Sequence, residues 1–263
     1  MTDKILAVGL VGLGNAGGSL ARALAPQCQL FGYDIDPVRR AALSDIDITL
    51  TTSATGVAEN AMAAILSLPR PEISHAVVTE LLSIVDPPEV IIETSTVTPK
   101  TAQALAAQCA EKGVAFVDAA IAGGVQSMAA GKCTFLVGGD EAALAKAWRV
   151  LDLIAETIHH LGPVGAGSGA KIVNNAVMHA EMVILIEAAA MAKKLGIALP
   201  KLVEILGRPD GIMRPLEHRL AERVATGDYA GGMSVANARK DSMLALETAQ
   251  DMGVPLHATL AAH

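Results

Sequence analysis

Aromatic side chains are scarce: one Trp, two Tyr and three Phe, 2% of 263 residues. A surface with so few rings offers no stacking platform for single-stranded bases. Runs of Lys and Arg are also missing. Twenty basic against 27 acidic residues give a formal net charge of −7, which argues against a nucleic-acid partner. Cysteine is limited to Cys28, Cys109 and Cys133, far apart and without a C-x-x-C. They read as small buried hydrophobes of a reducing compartment, not as disulfides or a zinc site. No His/Asp/Glu cluster has metal-ligand spacing, so no metal is expected. No Ser or Cys stands in a nucleophile elbow, since Ser168 lies in a G-S-G at a helix start. No cationic segment precedes a cleavable apolar one, and the run Ile5 to Leu13 is too short to span a bilayer. A soluble, cytoplasmic protein that does not engage a membrane is the expectation.

What is present is apolar and periodic. Hydrophobic residues make up 52% of the chain, enough for one large domain or two moderate ones. Ile5 to Val11 is a continuous apolar run of the kind that suits a parallel strand covered on both faces. It leads into Gly12-Leu13-Gly14-Asn15-Ala16-Gly17, a G-x-G-x-x-G, and then a helical pattern. Gly12 makes the tight turn, Gly14 lets the backbone approach a pyrophosphate, and Gly17 allows close helix packing. The helix N-terminus then offers N–H groups and a positive dipole end to phosphates. Alone, the hexapeptide is a weak signal. The next strand, Gln29 to Tyr33, strengthens it by ending at Asp34, 22 residues beyond Gly12, where a carboxylate accepts a ribose 2′-OH. That acid favours NAD, while Arg39 and Arg40 keep NADP open.

Strand candidates continue at Ala61 to Leu68, Val90 to Glu93, Val114 to Ala120, Cys133 to Val137 and Thr157 to Leu161. Repeated β-α units of this length predict a parallel, doubly wound sheet. The punctuated segments at 12–17, 34, 68–71, 94–99 and 121–126 fall at its strand ends, round one cleft. After Gly165 the strands stop. Gly165, Gly167 and Gly169 open a run free of Gly and Pro until Gly196, which reads as one long helix. Lys171 and Asn175 stand at i and i+4 on one face near its start, with Asn174 at i+3. Val177, Met178, Met182, Leu185, Ile186 and Ala189 form a broad stripe expected to be buried. Further helices are expected over Pro200 to Leu206, Arg214 to Ala225, Val235 to Met252 and from Leu256 onward. The organisation predicted is therefore an N-terminal Rossmann-type domain over 1–164, followed over 165–263 by a long connecting helix and a small all-helical domain. Having fewer than a hundred residues, that second part calls for a partner subunit, and a homodimer or homotetramer is expected.

Four ordered motifs resemble the β-hydroxyacid dehydrogenase family, which includes 3-hydroxyisobutyrate dehydrogenase, tartronate semialdehyde reductase and 6-phosphogluconate dehydrogenase. VGLVGLGNAGGSLARAL is similar to its G-L-G-x-M-G segment, with Ala16 in place of Met. Asp118 to Gly139 resembles the D-A-P-V-S-G-G substrate signature and its continuation. GAGSGAKIVNN resembles G-x-G-x-x-x-K-x-x-N-N, and KDSMLA, Lys240 to Ala245, resembles K-D-x-x-L-A. The resemblance covers nearly the whole chain. It implies an NAD-dependent oxidoreductase of a small β-hydroxy acid such as 3-hydroxyisobutyrate, glycerate or threonate. Lys171 is implied as general acid/base and Asn175 as a substrate holder, with Asn174 nearby. Gly123 and Gly124 are implied to offer N–H groups to a substrate carboxylate. Thr96 is implied near the nicotinamide, Leu68 and Pro69 along the cofactor cleft, and Lys240 reaching the cofactor from the helical domain. Two departures touch the carboxylate site: Ala122 replaces the usual Ser and Ala120 the usual Pro. The chain also stops at His263, earlier than expected of the family.

Hydride transfer from an alcohol carbon needs a base for the hydroxyl proton. Lysine serves only if its pKa falls from about 10.4 toward 7–8, which an apolar cleft and an oxidised nicotinamide promote. The bland alternative is a Lys snorkelling at a helix start with Asn caps. Two other readings compete: an imine reductase of the same architecture, against which the retained Lys171 counts, and a non-catalytic nucleotide sensor, which needs neither Lys171 nor Asn175. His159 and His160 read as a solvated strand end, and His179 as a packing or interface residue.

Overall fold

The computed structural model describes residues 6–263. Eight strands are formed: β1 (Ala7–Val11), β2 (Gln29–Tyr33), β3 (Thr49–Leu50), β4 (Ala63–Leu66), β5 (Val90–Glu93), β6 (Ala115–Ala122), β7 (Cys133–Gly138) and β8 (Ala155–His160). Of the first expected strand, Ile5 lies outside the described residues. The helices between them are α1 (Asn15–Leu24), α2 (Pro37–Ala41), α3 (Ala54–Ala58), α4 (Pro71–Leu81), α5 (Pro99–Ala110), α6 (Val125–Ala129) and α7 (Glu141–Leu151). The sheet runs β3-β2-β1-β4-β5-β6-β7-β8, reversing direction at β1/β4, where doubly wound sheets bind their ligands.

Apolar clusters cover both faces. On one, Leu20 and Leu24 of α1 and Ala147 and Leu151 of α7 pack with Val8, Leu10 and Ile92. On the other, Val57 of α3, Val78 of α4 and Leu105 of α5 pack with Val11, Leu66 and Ile91. Successive side chains of a strand thus feed opposite layers, which is why β1, β4 and β5 read as unbroken apolar runs. One pair departs from the expected parallel sheet: β6 and β7 are antiparallel, with Asp118 opposite Gly138 and Ala122 opposite Thr134. Only α6 and a short turn join them, too little chain for a full crossover.

The chain divides into two compact units, Met1–Asn175 and Ala176–His263, the division falling inside α8 (Ala166–Lys194). The second unit continues with α9 (Leu199–Leu206), a π-helical turn (Pro215–Ala221), a 3-10 turn (Val224–Thr226), α10 (Val235–Asp251) and α11 (His257–Ala262). Irregular turns thus stand where one helix over Arg214 to Ala225 was expected. By length and composition α8 could cross a membrane, with a mean hydropathy of 1.3. One of its acids, Glu187, is however buried. Glu187 accepts hydrogen bonds from the Ala258 and Thr259 N–H groups and the Thr259 hydroxyl. These donors at the start of α11 hold its carboxyl below the usual range.

The stripe expected to be buried on α8 is not buried within this chain. Val177 is 61% exposed, Met182 57% and Ile186 58%, and Met178 is exposed as well. The second unit has too little chain to cover both sides of a long helix; its own buried cluster is only Ala249, Val254 and Leu256.

Candidate active site at the strand ends

Gly12 has φ +93°, and a Cβ there would sit 2.2 Å from the Ser67 carbonyl oxygen. At Gly17 a Cβ would lie 1.8 Å from the Gly12 carbonyl oxygen. The turn is therefore glycine by necessity, with α1 seated directly on the end of β1. Gly14 is the N-cap of α1, and no side chain caps that helix end by a hydrogen bond, although the Arg39 guanidinium lies beside it. Leu13, Gly14 and Asn15 line a groove with Arg39 and Val125, while Ala16 is half-buried against the core.

Asp34 is 5% exposed. Its Oδ2 accepts from the Leu13 N–H at 2.7 Å and its Oδ1 from the Asp36 N–H at 2.9 Å. The acid thereby fixes the glycine turn from the neighbouring strand. Arg39 Nη1 lies 3.6 Å from its carboxylate, and Arg40 donates to the Asp34 carbonyl oxygen while standing 5.9 Å above the Tyr33 ring. One pocket is lined by Gly12, Asp34, Arg39, Leu68 and Pro69. The glycine turn, the start of α1 and the Asp34 carboxylate thus stand together at the ends of β1 and β2, with Arg39 lining the spaces on both sides.

The next loops are stitched together. Both the N–H and the hydroxyl of Thr94 donate to the Leu66 carbonyl, and Ser95 Oγ accepts from the Leu68 N–H at 2.7 Å. Leu68 and Pro69 are thus held beside the turn that presents Thr96, whose side chain is exposed. Below it Glu93 is fully buried. Its Oε1 accepts from the Ser95 N–H, while Oε2 and the hydroxyl of Ser74 have no partner. Burial pushes the Glu93 carboxyl up, with the bond from Ser95 pulling the other way and Asp118 adding to the rise. A carboxyl raised in the folded state stabilises the protein fully below its unfolded pKa, and the contribution is lost as pH rises through the folded value. Glu93→Gln is accordingly expected to flatten the fall of the melting temperature as pH rises above the ordinary carboxylate range. A melting series that falls as steeply in the variant would refute the assignment of Glu93 as a neutral buried acid.

β6 ends at Ala122, half-buried. Gly123 has φ +120° and Gly124 precedes α6; both are exposed, and no neighbour stands where a Cβ would go. The backbone at this strand end thus borders open space. On α8, Lys171 and Asn175 are half-buried while Asn174 is exposed. Burial lowers the Lys171 pKa below the usual lysine value. Asn174 Nδ2 points to Asn175 Oδ1 at 3.4 Å. The start of the helix lies against the 94–99 segment: a Cβ on Gly169 would be 3.6 Å from Pro99 Cγ. Lys240 belongs to the second unit, on α10, and pairs with Asp241 at 3.0 Å. Two acids escaped the motif reading, Glu93 and the structural part of Asp118. Their signal was a lone carboxylate inside an otherwise apolar strand, in VIIE and in AFVDAAIA.

Comparison with known proteins agrees with this geometry. Residues 7–162 match the family described as the NAD binding domain of 6-phosphogluconate dehydrogenase, and residues 165–263 that described as NAD-binding of NADP-dependent 3-hydroxyisobutyrate dehydrogenase. The 2-(hydroxymethyl)glutarate dehydrogenase of Eubacterium barkeri is 32% identical over 98% of this chain and 87% of its own length. The Mycobacterium tuberculosis 3-hydroxyisobutyrate dehydrogenase, solved with L-serine, superposes with a TM-score of 0.72 at 28% identity, covering 98% of this chain and 91% of that one. An imine reductase from Pseudomonas sp. superposes with a TM-score of 0.88 over 98% and 91% of the two chains, but at 21% identity it shares the fold alone. Fold, dinucleotide cradle and relatives converge: the chain belongs to the β-hydroxyacid dehydrogenase family and is an NAD(P)-dependent oxidoreductase.

Proposed function

We propose that this enzyme oxidises a small β-hydroxy acid with Lys171 as the proton-transfer residue. The observation that carries the proposal is the Lys171 amine itself: half-buried, lowered by burial, and one helical turn before Asn175. Bound NAD supplies the hydride acceptor. The protein's part is to hold the hydroxyl of the substrate against Lys171 Nζ, which takes its proton as the carbonyl forms, and returns it in the reverse direction. Asn175 donates an amide N–H to the substrate without adding charge, with Asn174 beside it. The Gly123 and Gly124 N–H groups receive the carboxylate. Thr96, Leu68 and Pro69 line the nicotinamide end, Gly12 to Gly17 and Asp34 the adenosine end, and Lys240 contacts the cofactor from the helical part. Residues 1–164 form the dinucleotide-binding part and 165–263 the helical part. The exposed Val177, Met182 and Ile186 support a homo-oligomer in which a second subunit covers α8, and the protein works in the cytoplasm.

NAD reduction measured over a panel of 3-hydroxyisobutyrate, glycerate, serine, threonate and longer analogues tests this reading. Turnover on at least one acid is expected, and silence across the panel with cofactor bound would overturn it. Ala122 narrows the choice of acid. Where relatives of the resemblance carry Ser, this chain offers no hydroxyl beside Gly123. Restoring it with Ala122→Ser is expected to change KM for the acid by about tenfold or more, since a hydrogen bond to a charged group is worth roughly 1.5–3 kcal/mol. An unchanged KM would place the carboxylate elsewhere.

A further inference from the structure

Asp118 is the one acid in the middle of β6, and it is fully buried. It does not face the open strand end where Gly123 and Gly124 lie. Its Oδ1 accepts from the Gly165 N–H at 2.8 Å and its Oδ2 from the Ser168 N–H at 2.6 Å. Gly165 immediately precedes α8 and Ser168 lies in its first turn, whose free N–H groups need acceptors. The glycines around it make this reach sterically workable. A Cβ on Gly138 would sit 2.6 Å from Asp118 Oδ1, and one on Gly167 would sit 2.3 Å from the Leu136 carbonyl oxygen and 2.7 Å from that of Asp118. Gly165 has φ +98°, which turns its N–H into the sheet. The G-x-G-x-G run before Lys171 thus lets the helix start press backbone to backbone on β6 and β7, with a carboxylate from the strand as its cap.

The neighbouring strand supports the charged state of that cap. Glu93 and Asp118 are register partners on β5 and β6. Two buried carboxylates this close do not both ionise readily. Asp118 has two N–H donors at a helix N-terminus, where negative charge is favoured; Glu93 has one donor and an unpartnered oxygen. Burial pushes the Asp118 carboxyl up, but the Gly165 and Ser168 N–H groups pull it back down, so of the two acids Asp118 is the better placed to carry the charge.

We infer that Asp118 is a positioning residue, which clamps the first turn of α8 to the sheet and so fixes where Lys171 meets the substrate. The inference rests on the role proposed for Lys171. One turn separates Ser168 from Lys171, so a shift of the clamped turn is passed directly to the lysine. A displacement of about 1 Å at an acid/base residue costs on the order of a hundredfold in rate. The dinucleotide cradle at Gly12 to Gly17 and Asp34 lies on other strands and does not depend on the clamp.

The test is steady-state kinetics and NAD titration of the intact enzyme for Asp118→Asn, Asp118→Ala and Gly167→Ala, with Lys171→Ala in parallel. Asp118→Asn keeps the shape but removes the charge and one acceptor oxygen, and its kcat is expected to fall by about tenfold or more. Asp118→Ala is expected to fall further, while the NAD dissociation constant moves by less than about twofold in both. If Asp118→Ala does not fold, Asp118→Asn and Gly167→Ala carry the test; the latter displaces the turn and leaves the carboxylate intact. In the Lys171→Ala background, Asp118→Asn is expected to add little, because both act at one point. A wild-type kcat in folded Asp118→Asn, an effect confined to NAD affinity, or full additivity with Lys171→Ala would each overturn the inference. High turnover in Lys171→Ala would instead overturn the role of the lysine, whatever Asp118 does.

Discussion

Lys171→Ala is expected to lower kcat for hydroxy-acid oxidation by roughly 10²- to 10⁴-fold, the range of a positioned acid/base. NAD affinity is expected to stay near wild type, since Lys171 does not line the pocket formed with Gly12 and Asp34. The half-buried side chain explains why alanine, and not a milder change, is informative. It removes the amine and leaves α8 clamped through Gly165 and Ser168. Arginine is the sharper control. It keeps the positive charge but stays protonated at every working pH, so it too is expected to be inactive as a base. Turnover of Lys171→Arg near wild type would mean that the charge alone matters and that proton transfer runs through another group.

The second large effect is at Gly17. A methyl group there would sit 1.8 Å from the Gly12 carbonyl oxygen and 2.9 Å from its carbonyl carbon. Both are backbone atoms that cannot rotate away, so α1 must lift off the end of β1. The N–H groups at the start of α1 then no longer converge on a pyrophosphate. Gly17→Ala is expected to weaken NAD binding by about a hundredfold or more, about 2.7 kcal/mol. The strain adds roughly 1–3 kcal/mol of destabilisation. Gly18→Ala is the internal comparison. Its nearest neighbour would be the Leu13 carbonyl oxygen at 3.4 Å, and alanine is the better helix former by about 0.5–1 kcal/mol. Isothermal titration of both variants with NAD separates the two cases. Equal affinities would show that the turn does not bind the cofactor through α1.

Much of this arrangement was legible in the sequence, and for identifiable reasons. The strands β1, β2, β4 and β5 announce themselves because they are covered on both faces and carry unbroken apolar runs. Gly12, Gly14 and Gly17 lead straight to Asp34 because the spacing between a turn and the next parallel strand is set by one helix. Lys171 and Asn175 fall on one face of α8 by helical periodicity alone. Other features had no local signal. The two-residue strand β3 is exposed at Thr49 and Leu50 and has no apolar pattern. The antiparallel β6/β7 pair looks the same as a parallel one in a single strand's composition. Periodicity on α8 showed an apolar stripe, but the burial expected of it is not found: Val177 and Met182 are exposed. Asp118 was read as the first letter of a substrate signature, whereas its side chain grips α8 across 47 and 50 residues of sequence. No window of neighbouring residues contains that bond.

The pH dependence of kcat/KM for hydroxy-acid oxidation tests the central claim most directly. A base must be deprotonated to accept the hydroxyl proton, and burial has lowered the Lys171 pKa. The rate is therefore expected to rise with pH along a single limb whose midpoint lies below the ordinary lysine value of about 10.4, and to lose that limb in Lys171→Ala. A limb that persists unchanged in the alanine variant, or whose midpoint sits at the ordinary value, would contradict the assignment of Lys171 as the general base.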